Sequence, residues 1–97
     1  MNDAAERPDD PVPLPINGEL DLHTFRPQDL GSLLPEYIEA CRIQGIHKIR
    51  IIHGKGIGNI RRSVEAILSR HPDVIGFTQA SEHLGGWGAT IAELRPK

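Results

Sequence analysis

Ninety-seven residues leave room for one small domain, because a chain of this length buries only about 60 to 65% of its unfolded surface. With 38% hydrophobic and 25% charged residues it is composed as a soluble globular chain, which excludes a disordered polyelectrolyte, and no run approaches the ~18 apolar residues of a membrane span. The formal charge of -2 (11 basic against 13 acidic) hides an asymmetry, since Arg42 to His71 hold seven Lys or Arg against the single acid Glu65.

Residues 1–18 hold four of the eight prolines and four acids against one base, a composition that cannot repay the entropy of packing. They are expected as a flexible or loosely docked arm, with a folded domain over 19–97. Glu19-Leu20-Asp21-Leu22-His23 alternates with period two, so it is predicted as a strand with Leu20 and Leu22 on one face and Asp21 and His23 on the other. From Pro27 onward Leu30, Leu33, Leu34, Tyr37, Ile38 and Cys41 step by three and four, the stripe of an amphipathic helix that Gly45 ends. Pro35 falls off the stripe and predicts a kink or a break into two pieces. Ile46 to Ile52 is apolar and β-branched enough for a central strand, and Asn59 to Arg70 predicts a second helix closed by Pro72, with Ile60, Val64, Ile67 and Leu68 inward. Val74 to Ala80 and Ala89 to Leu94 read as two further strands, joined by the loop SEHLGGWG as a hairpin. The order βαβαββ, with right-handed crossovers, predicts a two-layer α/β sandwich: a mixed four-stranded sheet with both helices on one face.

The single Cys41 excludes an internal disulfide and lies on the helical stripe, which suits a small buried side chain. The N-terminus lacks the basic start and apolar stretch of a secretory signal. A cytoplasmic chain with no membrane partner is therefore expected, and a monomer.

The stretch IHGKGIGNIRR, Ile52 to Arg62, lies where a predicted strand becomes a helix. Ligands of open α/β sheets collect beyond the carboxyl ends of parallel strands. There glycines let the backbone approach an anion, a helix start supplies positive potential, and Lys55 adds a mobile charge, so phosphate is the natural guest. The familiar nucleotide loops do not match: a Walker loop needs Gly at position 49 and Ser or Thr at 56, which are Ile49 and Gly56, and GKGIG is not G-x-G-x-x-G. A purely structural strand-to-helix turn would account for Gly54 or Gly58 but needs neither His53 nor Lys55.

If the first two strands are parallel, His23 and His53 end at the same edge of the sheet. Two imidazoles can move protons in phosphodiester cleavage, one activating the nucleophile and one protonating the leaving oxygen. Asp21 could orient an imidazole or hold a divalent cation, Mg²⁺ or Mn²⁺. The bland alternative for each histidine is a hydrogen-bonded structural residue. A zinc site is disfavoured, because no Cys-x-x-Cys or His-x-x-x-His spacing is present; His47, His71 and His83 are assigned no role. Trp87 could stack on a base or pack beneath its loop.

ELDLH, IRIIHGKG and GGWGATIAEL, in this order and spacing, resemble the small MutS-related (Smr) domain from about Glu19 to Leu94. The resemblance implies a fold similar to the C-terminal domain of translation initiation factor three and a capacity to bind nucleic acid. Many members are endonucleases; some nick DNA, others cut RNA, including mRNA on stalled ribosomes, and the domain occurs alone or attached to MutS-like ATPases. The family's Asp-x-His pattern falls on Asp21 and His23, its His-Gly-Lys-Gly loop on His53, Gly54, Lys55 and Gly56, and its glycine-rich motif on Gly85, Gly86, Gly88, Ala89 and Thr90. One departure is Thr24-Phe25 after His23, where the family usually has glycine. The expected function is nucleic-acid binding with phosphodiester cleavage by Asp21, His23 and His53. Lys48, Arg50, Gly58, Arg61, Arg62 and Trp87 would join the glycine motifs on the polyanion. The alternatives are a non-catalytic nucleic-acid or ribosome-binding adaptor, and a protein-interaction module that uses the arm.

Overall fold

A computed structural model describes residues 14–55 and 58–97. The expected arm over residues 1–13, and Gly56, lie outside the described residues. Among those described, four strands form one mixed sheet in the order β1-β2-β4-β3: β1 (Glu19–Asp21), β2 (Lys48–Ile52), β3 (Val74–Gln79) and β4 (Ala89–Leu94). β1 pairs with β2 in parallel, and β4 pairs antiparallel with both β2 and β3. The third and fourth strands form the expected hairpin, and β4 is inserted between β2 and β3.

Two helices, α1 (Leu30–Ile43) and α2 (Asn59–Arg70), pack against each other and cover one face. Register explains which face. Leu20 lies beside Ile51, Ile51 beside Thr90 and Ile49 beside Ala92, so alternation turns one row of apolar side chains toward the helices. Leu34, Tyr37, Ile38 and Cys41 of α1 and Val64 and Leu68 of α2 close on that row, and each of these is at most 2% exposed. Burying a side chain of Leu or Ile size stabilises the fold by about 1.5–3 kcal/mol, so this single seam carries most of the apolar gain. The opposite face carries Glu19, Lys48, Arg50, Ile91 and Glu93, with Arg50 ion-paired to Glu19 and Lys48 Nζ 3.9 Å from Glu93. Among the described residues no helix covers it, as expected for a two-layer sandwich.

The elements differ from the expectation in several places: β2 begins at Lys48 rather than Ile46, β3 ends at Gln79 rather than Ala80, and three further differences bear on the site or the helix. β1 stops at Asp21 because the chain turns at His23–Thr24, although the Leu22 N–H still donates to the Ile52 carbonyl at 2.9 Å. Pro27 opens a separate 3-10 turn, Pro27–Asp29, and α1 follows it. Pro35 does not divide α1, which runs through it as one helix. The bond it cannot make would go to the carbonyl of Gly31, an exposed residue, so the missing donor leaves no buried acceptor orphaned.

The last residues of the expected arm are docked. Ile16 packs on the core, and the buried Gly18 donates its N–H to the Tyr37 hydroxyl at 3.1 Å. Burial of Tyr37 pushes its phenol up to about 12. Cys41 is fully buried, and desolvation raises its thiol above the ordinary value. No helix among the described residues is long and apolar enough to cross a membrane.

Candidate functional site

Parallel β1 and β2 end at the same rim, with Asp21 registered on Ile52, so the residues that follow run side by side. Beyond Leu22 the chain reverses, the Phe25 N–H donating to the Leu22 carbonyl at 3.1 Å, and Phe25 leans on the core. That packing anchors the turn in which Thr24 follows His23. The His23 N–H and its ring Nδ1 both reach Asp21 Oδ1, at 2.9 and 2.5 Å. A carboxylate only accepts, so Nδ1 carries a proton, and the neutral tautomer compatible with this contact keeps its lone pair on Nε2. Nε2 points at the glycine loop: a Cβ added to Gly54 would lie 3.8 Å from it. The His23 backbone N–H, and then its ring, hold the Asp21 carboxyl below the usual carboxylate range. The His23 and Asp21 side chains are 66% and 59% exposed, open enough for a substrate as wide as a polymer.

The glycine loop is stitched to the turn before β4. The N–H groups of His53 and Gly54 both donate to the Gly88 carbonyl, at 3.0 and 2.8 Å. His53 is engaged on both ring nitrogens: Nδ1 lies 3.1 Å from the Gly54 carbonyl and Nε2 2.9 Å from Thr90 Oγ1. The carbonyl fixes the tautomer, with Nδ1 donating and Nε2 accepting from the Thr90 hydroxyl. Gly54 has φ +86°, a conformation that glycine adopts without strain. Lys55 then crosses the Gly86–Gly88 turn so closely that a Cβ on Gly88 would meet its Cγ at 2.9 Å. Its Nζ lies 5.9 Å from the centroid of the Trp87 ring.

On the helix side of the rim is a cleft of about 360 Å³ lined by Pro27, His53, Gly54, Gly58, Asn59, Ile60 and Arg61. Gly58 caps α2 with no side-chain acceptor, and the first turn contains no acid. It carries Arg61 and Arg62 instead, cations at the positive end of a helix dipole, an arrangement that an external anion would relieve. Arg61 Nε reaches Glu65 at 3.3 Å and Arg62 Nη1 reaches Asn59 Oδ1 at 3.2 Å.

Most of the expected residues therefore meet at one rim: Asp21, His23, His53, Gly54, Lys55, Gly86, Trp87, Gly88 and Thr90, with Gly58 and Arg61 along the adjoining cleft. Arg62 sits exposed on the same helix turn. Lys48 does not join them, because it begins β2 at the opposite end of the strand and faces Glu93. Arg50 is committed within the protein, pairing with Glu19 and donating from Nη1 to the Leu84 carbonyl at 2.9 Å, next to Gly85. His71 ends α2 and its Nδ1 accepts the Asp73 N–H. Sequence reasoning gave no part to Asn59 or Pro27, which line the cleft, and none to the Gly88 carbonyl. Only the position of Asn59 after Gly58 could have signalled a role. Among the described residues no three His, Cys, Asp or Glu side chains converge as a metal cage.

The Smr domain family model matches residues 20–95, and the chain belongs to that family. It is 34% identical over 80 residues to Endonuclease MutS2 of Staphylococcus carnosus, and 39% identical over 77 residues to Endonuclease MutS2 of a Geobacillus species. These alignments cover 82% and 79% of this chain but 10% of each relative, so the chain spans about a tenth of their length. The crystal structure of the Smr domain of Thermus thermophilus MutS2 superposes with a TM-score of 0.77 at 31% identity, covering 82% of this chain and all of that one. The stand-alone small MutS-related protein YdaL of Escherichia coli superposes with a TM-score of 0.73 at 31% identity, over 80% of this chain and 64% of that one. The mixed four-stranded sheet with two helices is that of the MutS2 Smr domain.

Proposed function

We propose that this Smr domain is an endonuclease that grips a nucleic-acid backbone at the Gly54–Lys55 loop and cleaves it with His23 as the proton-transfer group. The observation that carries the proposal is the 2.5 Å contact of His23 Nδ1 with Asp21, which leaves Nε2 facing Gly54. A phosphodiester lying against that loop has Lys55 to offset its charge. Nε2 can then take the proton of the attacking oxygen, which is water or, in RNA, the neighbouring 2′-hydroxyl, while the bond from phosphorus to the leaving oxygen breaks and that oxygen takes a proton from solvent. Asp21 keeps the imidazole in the competent tautomer and stabilises the imidazolium once it forms. His53 is the second proton-transfer candidate of the sequence. With both nitrogens engaged, its part in this mechanism is to hold the loop onto Thr90. Asp21 is the residue that would hold a divalent cation, Mg²⁺ or Mn²⁺, which would supply Lewis-acid chemistry there. The name of the curated relatives, Endonuclease MutS2, supports the same class of reaction.

The test is incubation of the full chain with supercoiled plasmid and with structured RNA, in Mg²⁺, in Mn²⁺ and in chelator. His23→Ala is expected to lower cleavage about 10²- to 10⁴-fold with binding retained. Equal cleavage by wild type and His23→Ala would remove His23 from the mechanism. His53→Gln, which preserves a donor and an acceptor, is expected to keep cleavage within about tenfold, whereas a proton-transfer role would cost the full general acid–base factor. The internal bonding of His53 favours a second reading, a nucleic-acid or ribosome-binding adaptor, which retained binding with no cleavage of any substrate would establish.

A further inference from the structure

Trp87 is the one tryptophan of the chain and takes no part in its core. It stays 46% exposed between Gly86 and Gly88, which are themselves buried. Its mount is held on both sides. The Gly86 N–H donates to the Ser81 carbonyl at 2.8 Å, the Gly88 N–H to the Gly85 carbonyl at 3.1 Å, and the Gly88 carbonyl takes the two N–H groups of the HGKG loop. A large aromatic face is thus fixed beside Lys55, 5.9 Å from its ammonium, at the rim that carries His23. Packing does not require this placement, since a buried indole would gain apolar area and shed none.

We propose that Trp87 is a stacking platform for an unpaired base, so that the substrate is a single strand or a duplex with an unpaired nucleotide at the point of attachment. The proposal rests on the phosphate-binding reading above and names the substrate class for it. Aromatic faces hold bases of any identity, because every base has a π face. A paired base inside a duplex already stacks on both sides and has no free face to offer. The Lys55 ammonium lies over the ring, 5.9 Å from its centroid, near enough that a nucleotide stacked on the exposed part of the indole could bring its phosphate to the same cation. Stacking selects for strandedness and leaves sequence unread.

Because no other tryptophan is present, fluorescence of the full chain excited beyond the absorption of the single tyrosine, Tyr37, reports on this residue alone. The probes are a single-stranded oligomer in DNA and in RNA form, the blunt duplex of the same sequence, and an abasic oligomer of the same length and charge. Quenching by both base-bearing single strands, weak quenching by the duplex and none by the abasic oligomer is the expected result. Trp87→Ala is expected to weaken single-strand binding by roughly five- to a hundredfold, read by anisotropy, and to leave abasic binding unchanged. Trp87→Phe should recover most of the loss. Equal affinity for base-bearing and abasic oligomers without quenching, or tighter binding of the blunt duplex, would overturn the stacking role while leaving the phosphate site intact. Binding of neither oligomer would overturn the phosphate site and the stacking role together.

Discussion

Gly88 lacks a side chain where Lys55 passes, and at this position the close contact matters rather than the backbone angle. Gly88→Ala would drive a Cβ to 2.9 Å from Lys55 Cγ and 3.4 Å from the Gly54 carbonyl carbon, so Lys55 must swing out of the rim. The expected outcome is an affinity for nucleic acid lowered to that of Lys55→Ala, with stability reduced by about 1–3 kcal/mol; isothermal titration and urea melts read the two effects separately. Asp21 and His23 were legible as a pair in the sequence from their spacing of two, although the structure joins them at 2.5 Å through a turn that begins where β1 ends rather than across a strand face. The bond from His53 to Thr90 was not, since it spans 37 positions and no local pattern encodes a partner that far away. Arg50 and Lys48 looked alike as strand cations. Each is spoken for by a carboxylate on the neighbouring strand, a fact that only strand order supplies.

At the scale of elements, the helix stripe from Leu30 to Cys41 was read correctly because burial follows its period, and five of its members are buried in α1. The effect of Pro35 was overstated, because breakage assumes that the orphaned carbonyl is buried, and Gly31 is at the surface. Pro35→Ala restores an N–H to that carbonyl and is expected to raise stability by about 1 kcal/mol or more in thermal unfolding. Tyr37 ties the entry to β1 onto α1 and makes a pH prediction. Its phenol stays protonated in the fold to about 12 but ionises near ~10 when unfolded. The stabilisation is complete below pH ~10 and is lost as pH rises through about 12. Urea midpoints should therefore fall across that alkaline window, and Tyr37→Phe, which has no proton to lose, should largely abolish the fall.

For the molecule as a whole, the sequence-level excess of cations between Arg42 and His71 reduces at the rim to Lys55, Arg61 and Arg62, and with these the affinity for a polyanion is expected to depend on counterion release. The logarithm of the binding constant should fall linearly with the logarithm of salt concentration. Lys55→Ala should reduce the slope by about one and Lys48→Ala should leave it unchanged, because Lys48 stands at the far end of β2. Fold class was legible from the order of elements, and the hairpin from its loop. The insertion of β4 between β2 and β3 was not, since two antiparallel neighbours of one strand look the same in sequence as one.

That insertion has a consequence for how the rim comes apart. One carbonyl, on Gly88, accepts from two amides 34 and 35 positions upstream, and it is in place only while the last strand is threaded between its neighbours. The loop at His53 and Gly54 therefore cannot loosen alone: deuterium uptake at these two amides should keep pace with the amides of β4 rather than with the exposed turn around them, and release of β4 would undo the rim before the helices melt.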